Sequence, residues 1–259
     1  MQKGEETSAD VLIIGGGPAG LEAALVIARA GKRVLVFDDP APPRNSASHG
    51  IHNFIGIEGL KPAELRERCW KEMAKYSNAV LRSERVVGVA RLGDEAFELT
   101  GSRGARVSAP RLILAFGYHD EYPSLDGFEA CWGDTIIPCP FCDGYENRGR
   151  HWGVVPRVER ELALLPKLAR HWASSVQVFL PPGLPIDDVY RAELSALGIP
   201  VREGPVAALH QQAGKLDAVA LQSGDQHEVG TLLWVPAPRP APIADLLETE
   251  LGLCRGEDG

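Results

Sequence analysis

The sequence lacks any apolar run long enough to cross a membrane. A transmembrane helix needs about 20 consecutive apolar residues, and the longest apolar stretches here are much shorter. The first ten residues, MQKGEETSAD, also lack the cationic and apolar regions of a secretory signal. We therefore expect a cytoplasmic protein with no membrane partner.

An excess of positive charge is also absent. The 27 Lys and Arg residues are outnumbered by 35 Asp and Glu residues, which gives a formal net charge of -8. Proteins that bind nucleic acid need a basic surface, because it must neutralise the phosphate backbone. No nucleic acid partner is expected. A hydrophobic content of 44% and a charged content of 24% are instead typical of an ordinary folded protein.

Cysteine is scarce, with an odd total of five spread over 259 residues. A small secreted domain held by disulfides has a denser and usually even set. Only Cys139 and Cys142 are closely spaced, in the motif CPFC. No second CxxC completes a tetrahedral zinc site, although His119 and His151 could in principle supply further ligands. We predict no metal, and zinc is the alternative.

Strand and helix patterns alternate along the chain and predict an α/β fold. An apolar strand at residues 11–14, a helix at 21–30 and a second strand at 34–37 complete one βαβ unit. A similar alternation begins near residue 152, which predicts a second unit of the same kind. Short glycine-punctuated strands between residues 85 and 107 indicate a small antiparallel insertion.

Gly15, Gly17 and Gly20 form a GxGxxG motif between the first predicted strand and the first predicted helix. In this context the motif predicts dinucleotide binding. Gly15 permits the tight turn, Gly17 lets a pyrophosphate approach the backbone, and Gly20 allows close packing of the helix. Asp38 ends the second strand, where an acid that binds ribose is expected. The alternative is a glycine-rich turn that binds nothing.

Cys139, Cys142 and the adjacent Asp143 form a candidate catalytic set. A CxxC pair can form a redox disulfide, and its thiol pKa values are commonly lowered. A carboxylate beside the second thiol could carry the proton that thiol and disulfide interconversion requires. Two inert thiols are the alternative.

His49 and His52 lie together in the long loop at residues 40–59. Loops of this length are usually functional, and imidazole titrates near neutral pH. Each histidine is therefore a candidate acid or base. The alternative for both is a solvated side chain with no chemical role.

Several motifs follow one another in an order that resembles the thioredoxin reductase family. They are GGGPAG at residues 15–20, PRNSASHGIHNFIG at 43–56, AFG at 115–117 and PCPFCDGYENRGR at 138–150. The resemblance runs from about residue 10 to about residue 251, and the CxxCDGYE block is its most specific part.

This resemblance implies two Rossmann-like, three-layer α/β domains, with an NAD(P)-like domain inserted into an FAD domain. The implied boundaries are residues 1–118 for the first part of the FAD domain and 119–240 for the inserted domain that carries the CxxC. Residues 241–259 would return to the FAD domain. The family's closing segment, whose GD motif contacts the FAD, is absent, so we expect the C-terminal part of the FAD domain to be missing, either by truncation or in a natural short form.

Carried over by position, the resemblance also implies a role for each motif residue. Cys142 would face the flavin, Cys139 would exchange with the external dithiol or disulfide, and Asp143 would be the acid or base. The partner would be a small dithiol or disulfide, or a thioredoxin-like protein, and the family also forms homodimers. The residues implied to hold FAD are Gly15, Gly17, Pro18, Ala19, Gly20, Asp38, Asp39, Arg44, Asn45, Ala115 and Gly117.

The second nucleotide turn departs from the family pattern. It reads GVVPRVER from Gly153, where a reductase carries another GxGxxA. Pro156 removes a backbone N–H, and Glu159 adds negative charge where a pyrophosphate would lie. FLPPG also replaces the basic cluster expected after Val178. We therefore expect weak or absent NADP(H) binding.

The departing turn resembles a branch of the family that includes dithiol oxidases, which pass electrons from substrate thiols through FAD to oxygen. We predict an FAD-dependent thiol and disulfide oxidoreductase that acts through a Cys139–Cys142 disulfide, with dithiol oxidation as the favoured direction. The alternatives are an NADPH-dependent thioredoxin-disulfide reductase and a non-catalytic binding module.

Overall fold

The computed structural model describes residues 8–254 and residue 256, and the chain divides into two compact units. The first unit combines residues 8–46, 62–120 and 238–254, and the second combines 47–61 with 121–237. The loop at 47–61 falls inside the predicted first domain but belongs to the second unit. The outermost residues of the predicted domains, 1–7 and 257–259, lie outside the described residues.

The first stretch of the chain builds most of the first unit. Its elements are β1 Val11–Ile14, α1 Pro18–Arg29, β2 Val34–Asp38, α2 Pro62–Met73, β3 Ala79–Ser83, β4 Val86–Leu92, β5 Ala96–Gly101, β6 Arg106–Ala109, β7 Leu112–Leu114 and β8 Tyr118–Glu121. Four of the strands form a parallel sheet in the order β3-β2-β1-β7, with Val11 opposite Val34. Strands β4, β5 and β6 form the predicted antiparallel insertion.

Both faces of the parallel sheet are covered, which explains the continuous apolar sequence of β1. Ile13 points to the face covered by α1 and α2, where it packs with Leu21 and Met73. Leu12 points to the opposite face and packs with Leu99 of the antiparallel insertion. Each fully buried aliphatic side chain of this kind contributes about 1.5–3 kcal/mol. The unit therefore has three layers.

The second unit repeats this architecture. Its elements are α3 Phe128–Cys131, β9 Ile136–Ile137, α4 Pro140–Asp143, β10 His151–Val155, α5 Glu159–Ala169, β11 Ser175–Leu180, α6 Asp188–Ala196, β12 Val201–Glu203, β13 Val206–Gln212, β14 Lys215–Leu221, β15 Gln226–Glu228 and β16 Thr231–Trp234. Five strands form a parallel sheet in the order β12-β11-β10-β16-β9. Helices α5 and α6 cover one face, and α3 with the antiparallel strands β13, β14 and β15 covers the other.

The chain then returns to the first unit through β17 Ala237–Pro240 and α7 Ile243–Leu251. Strand β17 pairs with β8 in a two-stranded sheet. Leu247 of α7 is 2% exposed and packs into the same cluster as Leu12. The predicted fold class, two Rossmann-like three-layer α/β units, is confirmed. None of the helices in the described part of the chain has the length and apolar character that a membrane span requires.

Candidate functional site

The glycine turn of the first unit lies between β1 and α1, as predicted from the sequence. Gly15 has a φ of +107°, and a Cβ atom there would lie 2.2 Å from the carbonyl oxygen of Ala115. A Cβ atom on Gly20 would lie 1.9 Å from the carbonyl oxygen of Gly15. Neither position can carry a side chain, because the backbone segments approach too closely.

Gly17 is different, because a Cβ atom there would meet nothing within 4 Å. Gly17 is the N-cap residue of α1, makes no side-chain cap, and is followed by Pro18 and Ala19 in a first turn that holds no acidic residue. The first backbone N–H groups of a helix attract anions. This open space in front of the α1 N-terminus therefore fits a pyrophosphate.

Asp38 lies at the end of β2 beside the glycine turn, and its side chain is almost fully buried. The backbone N–H of Gly16 donates a hydrogen bond of 2.9 Å to Asp38 Oδ1, and the Arg66 guanidinium pairs with Oδ2. The sequence interpretation did not include Arg66. Its helix position is 28 residues from Asp38, and no local motif links the two.

The other residues implied to hold FAD lie in the same unit. Asp39 accepts hydrogen bonds from Arg85 and from the backbone of Ala41, and these outweigh burial and lower the pKa of its carboxyl group. Arg44 pairs with Asp120 at 2.7 Å, whereas Asn45 is exposed in the same turn. These contacts do not test whether Arg44 and Asn45 bind FAD, so that role stays a prediction.

Ala115 and Gly117 follow β7, the strand next to β1. The backbone N–H of Ala115 donates to Ile14 at 2.8 Å, which holds the AFG segment against the glycine turn. Gly117 has a φ of +68°, a conformation that favours glycine. The structure therefore brings the GxGxxG motif, Asp38 and the AFG segment together at the carboxyl ends of neighbouring strands, which is where open α/β sheets bind ligands.

The second unit carries the two cysteines at the short helix α4. Cys139 precedes this helix in an extended conformation, and Cys142 lies in its final turn. A hydrogen bond from the Cys142 thiol, helped by the backbone N–H groups of Cys142 and Phe141, lowers the pKa of Cys139 to about 6, although burial opposes this. The same hydrogen bond, with burial, raises the pKa of Cys142. In the reduced pair the thiolate therefore resides on Cys139.

Asp143 is the last residue of α4 and follows Cys142 directly. Burial and the nearby Cys139 and Glu146 raise the pKa of its carboxyl group to about 6, and the charge of His52 opposes this rise. A carboxyl group with this pKa can donate or accept a proton near neutral pH. The predicted set of Cys139, Cys142 and Asp143 is thus brought together.

The loop at residues 47–61 lies against this cysteine helix. The Asn53 amide donates a hydrogen bond to the carbonyl oxygen of Phe141. His52 Nδ1 lies 2.7 Å from Glu58 Oε1, and this hydrogen bond raises the pKa of the imidazole despite its partial burial. His49 is exposed and lies 4.0 Å from Asp134. Of the two predicted histidines, His52 interacts with Asp143 through its charge, and His49 lies beside Asp134 instead.

The second nucleotide turn joins β10 to α5. A Cβ atom on Gly153 would lie 2.7 Å from side-chain atoms of Leu232 and of Phe179, so this glycine serves packing within the unit. Glu161 Oε2 accepts a 2.7 Å hydrogen bond from the backbone N–H of Arg157, and its other oxygen lies 3.1 Å from the Arg157 guanidinium. Glu159, which the sequence predicts to bring negative charge here, does lie in the first turn of α5, and Glu161 adds a second carboxylate to that turn.

His151, one of the two histidines that could complete a zinc site, lies at the start of β10. His151 lies 2.7 Å from the hydroxyl of Ser175. Within residues 8–254 and 256, no group of three or more His, Cys, Asp or Glu side chains is arranged to hold a metal ion.

Residues 9–151 match the family model described as pyridine nucleotide-disulphide oxidoreductase, and the chain belongs to this family. Its relatives include the thioredoxin reductase tcpT of Claviceps purpurea, 36% identical over 56% of this chain and 46% of that protein. The thioredoxin reductase sirT of Leptosphaeria maculans is 28% identical over 96% of this chain and 80% of that protein. The chain thus spans less than half the length of tcpT in this match.

Among solved structures, the crystal structure of HlmI superposes on the whole chain and on 79% of its own length, with a TM-score of 0.87 and 34% identity. These similarities confirm the predicted relationship to proteins of thioredoxin reductase type. FAD is the cofactor of this class, and the glycine turn of the first unit fits its pyrophosphate.

Proposed function

We propose that this chain oxidises small dithiols through a Cys139–Cys142 disulfide, with FAD as its cofactor and with weak or no use of NADPH. One observation supports dithiol oxidation over NADPH-dependent reduction. The first turn of α5, where a pyridine nucleotide would place its pyrophosphate, carries Glu159 and Glu161, and the Glu161 carboxylate already accepts the backbone N–H of Arg157. A second anion there would meet both this negative charge and the loss of the N–H group at Pro156.

The residues that would hold FAD are those of the first unit's glycine turn and its neighbours. Gly17 and the first turn of α1 would face the pyrophosphate, and Asp38 would contact the ribose. Ala115 and Gly117 would line the same edge of the sheet. When bound, FAD supplies the two-electron acceptor for the reduced cysteines, and dioxygen is the terminal oxidant.

The cysteines are suited to exchange with a dithiol. A substrate thiolate attacks the Cys139 sulfur, the Cys139–Cys142 bond breaks, and Cys142 leaves as a thiolate. Because the pKa of Cys142 is raised, this thiolate must take a proton, and Asp143 with a pKa of about 6 is placed to give it.

The second substrate thiol then completes the exchange. It loses its proton and attacks the substrate sulfur of the mixed disulfide, so that Cys139 leaves as a thiolate. The hydrogen bond from the Cys142 thiol stabilises this leaving group, whose pKa is about 6. In total the substrate dithiol loses two electrons and two protons and becomes a disulfide. The cysteine pair gains the two electrons and one proton, which Cys142 holds, and the other proton passes to solvent because Cys139 stays a thiolate.

An anaerobic visible spectrum of the FAD-loaded protein tests this proposal. Excess NADPH is added to one sample and dithiothreitol to another. We expect the dithiol to bleach the flavin absorbance and NADPH to leave it unchanged. Cys139→Ser should lose the response to the dithiol. Bleaching by NADPH at a comparable rate would overturn the proposed direction.

A second candidate is an NADPH-dependent disulfide reductase with a thioredoxin-like protein as its partner. The names of tcpT and sirT favour it, since both are described as thioredoxin reductases. The same cysteines would then catalyse the reverse reaction, in which the Cys139 thiolate attacks the partner's disulfide. Rapid bleaching by NADPH in the experiment above is the outcome that supports this candidate.

A further inference from the structure

The loop at residues 47–61 is built to hold one histidine beside the cysteine helix. A Cβ atom on Gly133 would lie 2.5 Å from the carbonyl oxygen of Ala47, so the start of the loop packs on backbone that must be glycine. The Asn53 amide fixes its middle to the carbonyl oxygen of Phe141, between the two cysteines. A Cβ atom on Gly50 would lie 3.0 Å from His52 Nε2, which shows how closely the imidazole fits against the loop.

The imidazole of His52 is surrounded by carboxyl groups from two segments. Glu58, on the same loop, lies 2.7 Å from Nδ1. Glu146, which follows α4, lies 3.8 Å from Nε2. Asp143 of α4 also acts on His52 through its charge. The side chain of His52 is 21% exposed, so these charges are only partly screened by solvent.

We infer that His52 is a positioning residue of the redox site, whose positive charge, held in place by Glu58, allows Asp143 to release its proton. This inference rests on the proposed function of the cysteine pair. It adds a group from a loop some 90 residues earlier in the sequence to the three residues of the CxxCD motif.

The need for such a charge follows from the other neighbours of Asp143. Glu146 and the Cys139 thiolate are both negative, and both favour the protonated form of Asp143. An acid that kept its proton could not protonate Cys142 during each turnover. His52 is the cationic neighbour that acts in the opposite direction. Glu58 keeps the imidazole protonated at the pH where Asp143 titrates.

The test is the pH profile of disulfide opening. The oxidised 259-residue chain is mixed with dithiothreitol at a series of pH values, quenched with an alkylating agent and analysed by mass spectrometry. Each rate is divided by the thiolate fraction of the reagent. We expect His52→Gln to move the Asp143 midpoint of this profile upward, because an opposite charge has been removed. Glu58→Gln should move it in the same direction by less.

Three variants make the result specific. His52→Arg keeps the positive charge and should keep the midpoint near that of the wild type. His49→Gln changes the neighbouring loop histidine, which lies near Asp134, and should leave the profile unchanged. Asp143→Asn should remove the midpoint altogether. If His52→Gln does not fold, the comparison of Glu58→Gln with the wild type decides the question.

The outcomes separate this inference from the proposed function. If Cys139→Ser and Cys142→Ser retain dithiol turnover, the proposed function is wrong. If these variants lose turnover but His52→Gln and Glu58→Gln keep the wild-type midpoint, the inference on His52 alone is overturned.

Discussion

The backbone N–H of Gly16 donates a 2.9 Å hydrogen bond to the carboxylate of Asp38. This bond ties the glycine turn to the end of β2, the strand next to β1 in the sheet. A Cβ atom on Gly16 would lie 2.5 Å from Asp38 Cγ, so the middle glycine of the GGG run is needed to admit the carboxylate. The orientation of Asp38 is therefore fixed by the protein itself.

The glycine turn offers a matched pair of substitutions. Gly17→Ala adds a methyl group in open space, so it should leave the stability of the protein without FAD nearly unchanged but weaken FAD binding by about tenfold, or 1.4 kcal/mol. Gly20→Ala meets the Gly15 carbonyl and should destabilise the fold by on the order of 3 kcal/mol. Urea denaturation and FAD absorbance titration measure the two effects. If Gly17→Ala bound FAD as tightly as the wild type, the pyrophosphate would not lie beside Gly17.

Cys142 controls the acidity of its partner. Cys142→Ala removes the hydrogen bond that contributes most to the low pKa of Cys139, so the midpoint for alkylation of Cys139 should rise from about 6 toward the ordinary thiol value. Cys142→Ser keeps a donor and should shift the midpoint less. The pH dependence of the iodoacetamide reaction in the reduced protein gives both values. An unchanged midpoint in Cys142→Ala would show that the backbone N–H groups alone stabilise the thiolate.

The Glu161 carboxylate should contribute to stability as an acceptor at the start of α5. Glu161→Ala leaves the N–H of Arg157 without this partner and should lower the free energy of unfolding by about 1 kcal/mol. Glu159→Ala, in the same turn, removes only a charge near the helix N-terminus and should cost about 0.3 kcal/mol. Urea denaturation of both variants provides the comparison, and equal effects would contradict the specific role of Glu161.

Asp143 makes stability depend on pH. Because its pKa is raised to about 6, the folded state holds this proton more tightly than the unfolded chain, and stability falls as the pH rises from about 4 through 6. Asp143→Asn removes the titrating group and with it this loss of stability at higher pH. After allowance for solvent screening, the variant should be more stable than the wild type by on the order of 1–2 kcal/mol above that range, with no gain below it.

Urea denaturation of the reduced proteins at two pH values tests this expectation. Cys139→Ser removes the thiolate that helps to raise the pKa of Asp143, so the gain from Asp143→Asn should be smaller in that background. A variant that is less stable than the wild type at both pH values would contradict the direction of the shift.

The sequence alone was sufficient for features that depend on local patterns. The apolar run of β1 indicates a strand buried on both faces, and the spacing of Gly15, Gly17 and Gly20 indicates the turn that follows it. The CPFCD block likewise places its three chemical groups within one turn of helix. In each case the residues that define the feature are neighbours in the chain, so their pattern is visible without the fold.

Contacts between distant segments could not be predicted in this way. Arg66 reaches Asp38 because α2 packs beside α1, and the helical periodicity of α2 does not state which partner its polar residues meet. The loop at 47–61 has no regular period, so nothing in its sequence assigns it to the second unit or indicates that His52 interacts with Asp143. The strands β13, β14 and β15 also depend on long-range pairing.

Because α7 lies late in the sequence, the first unit cannot complete its core until late in synthesis on the ribosome. The sheet face around Leu12 is completed by Leu247, yet the sequence of the second unit is translated between them. At about 5–20 residues per second, that interval lasts on the order of 10 s. The nascent chain must therefore carry an apolar core that the antiparallel insertion covers only in part while its second unit emerges and folds, and the exposed remainder is a surface that molecular chaperones have reason to protect.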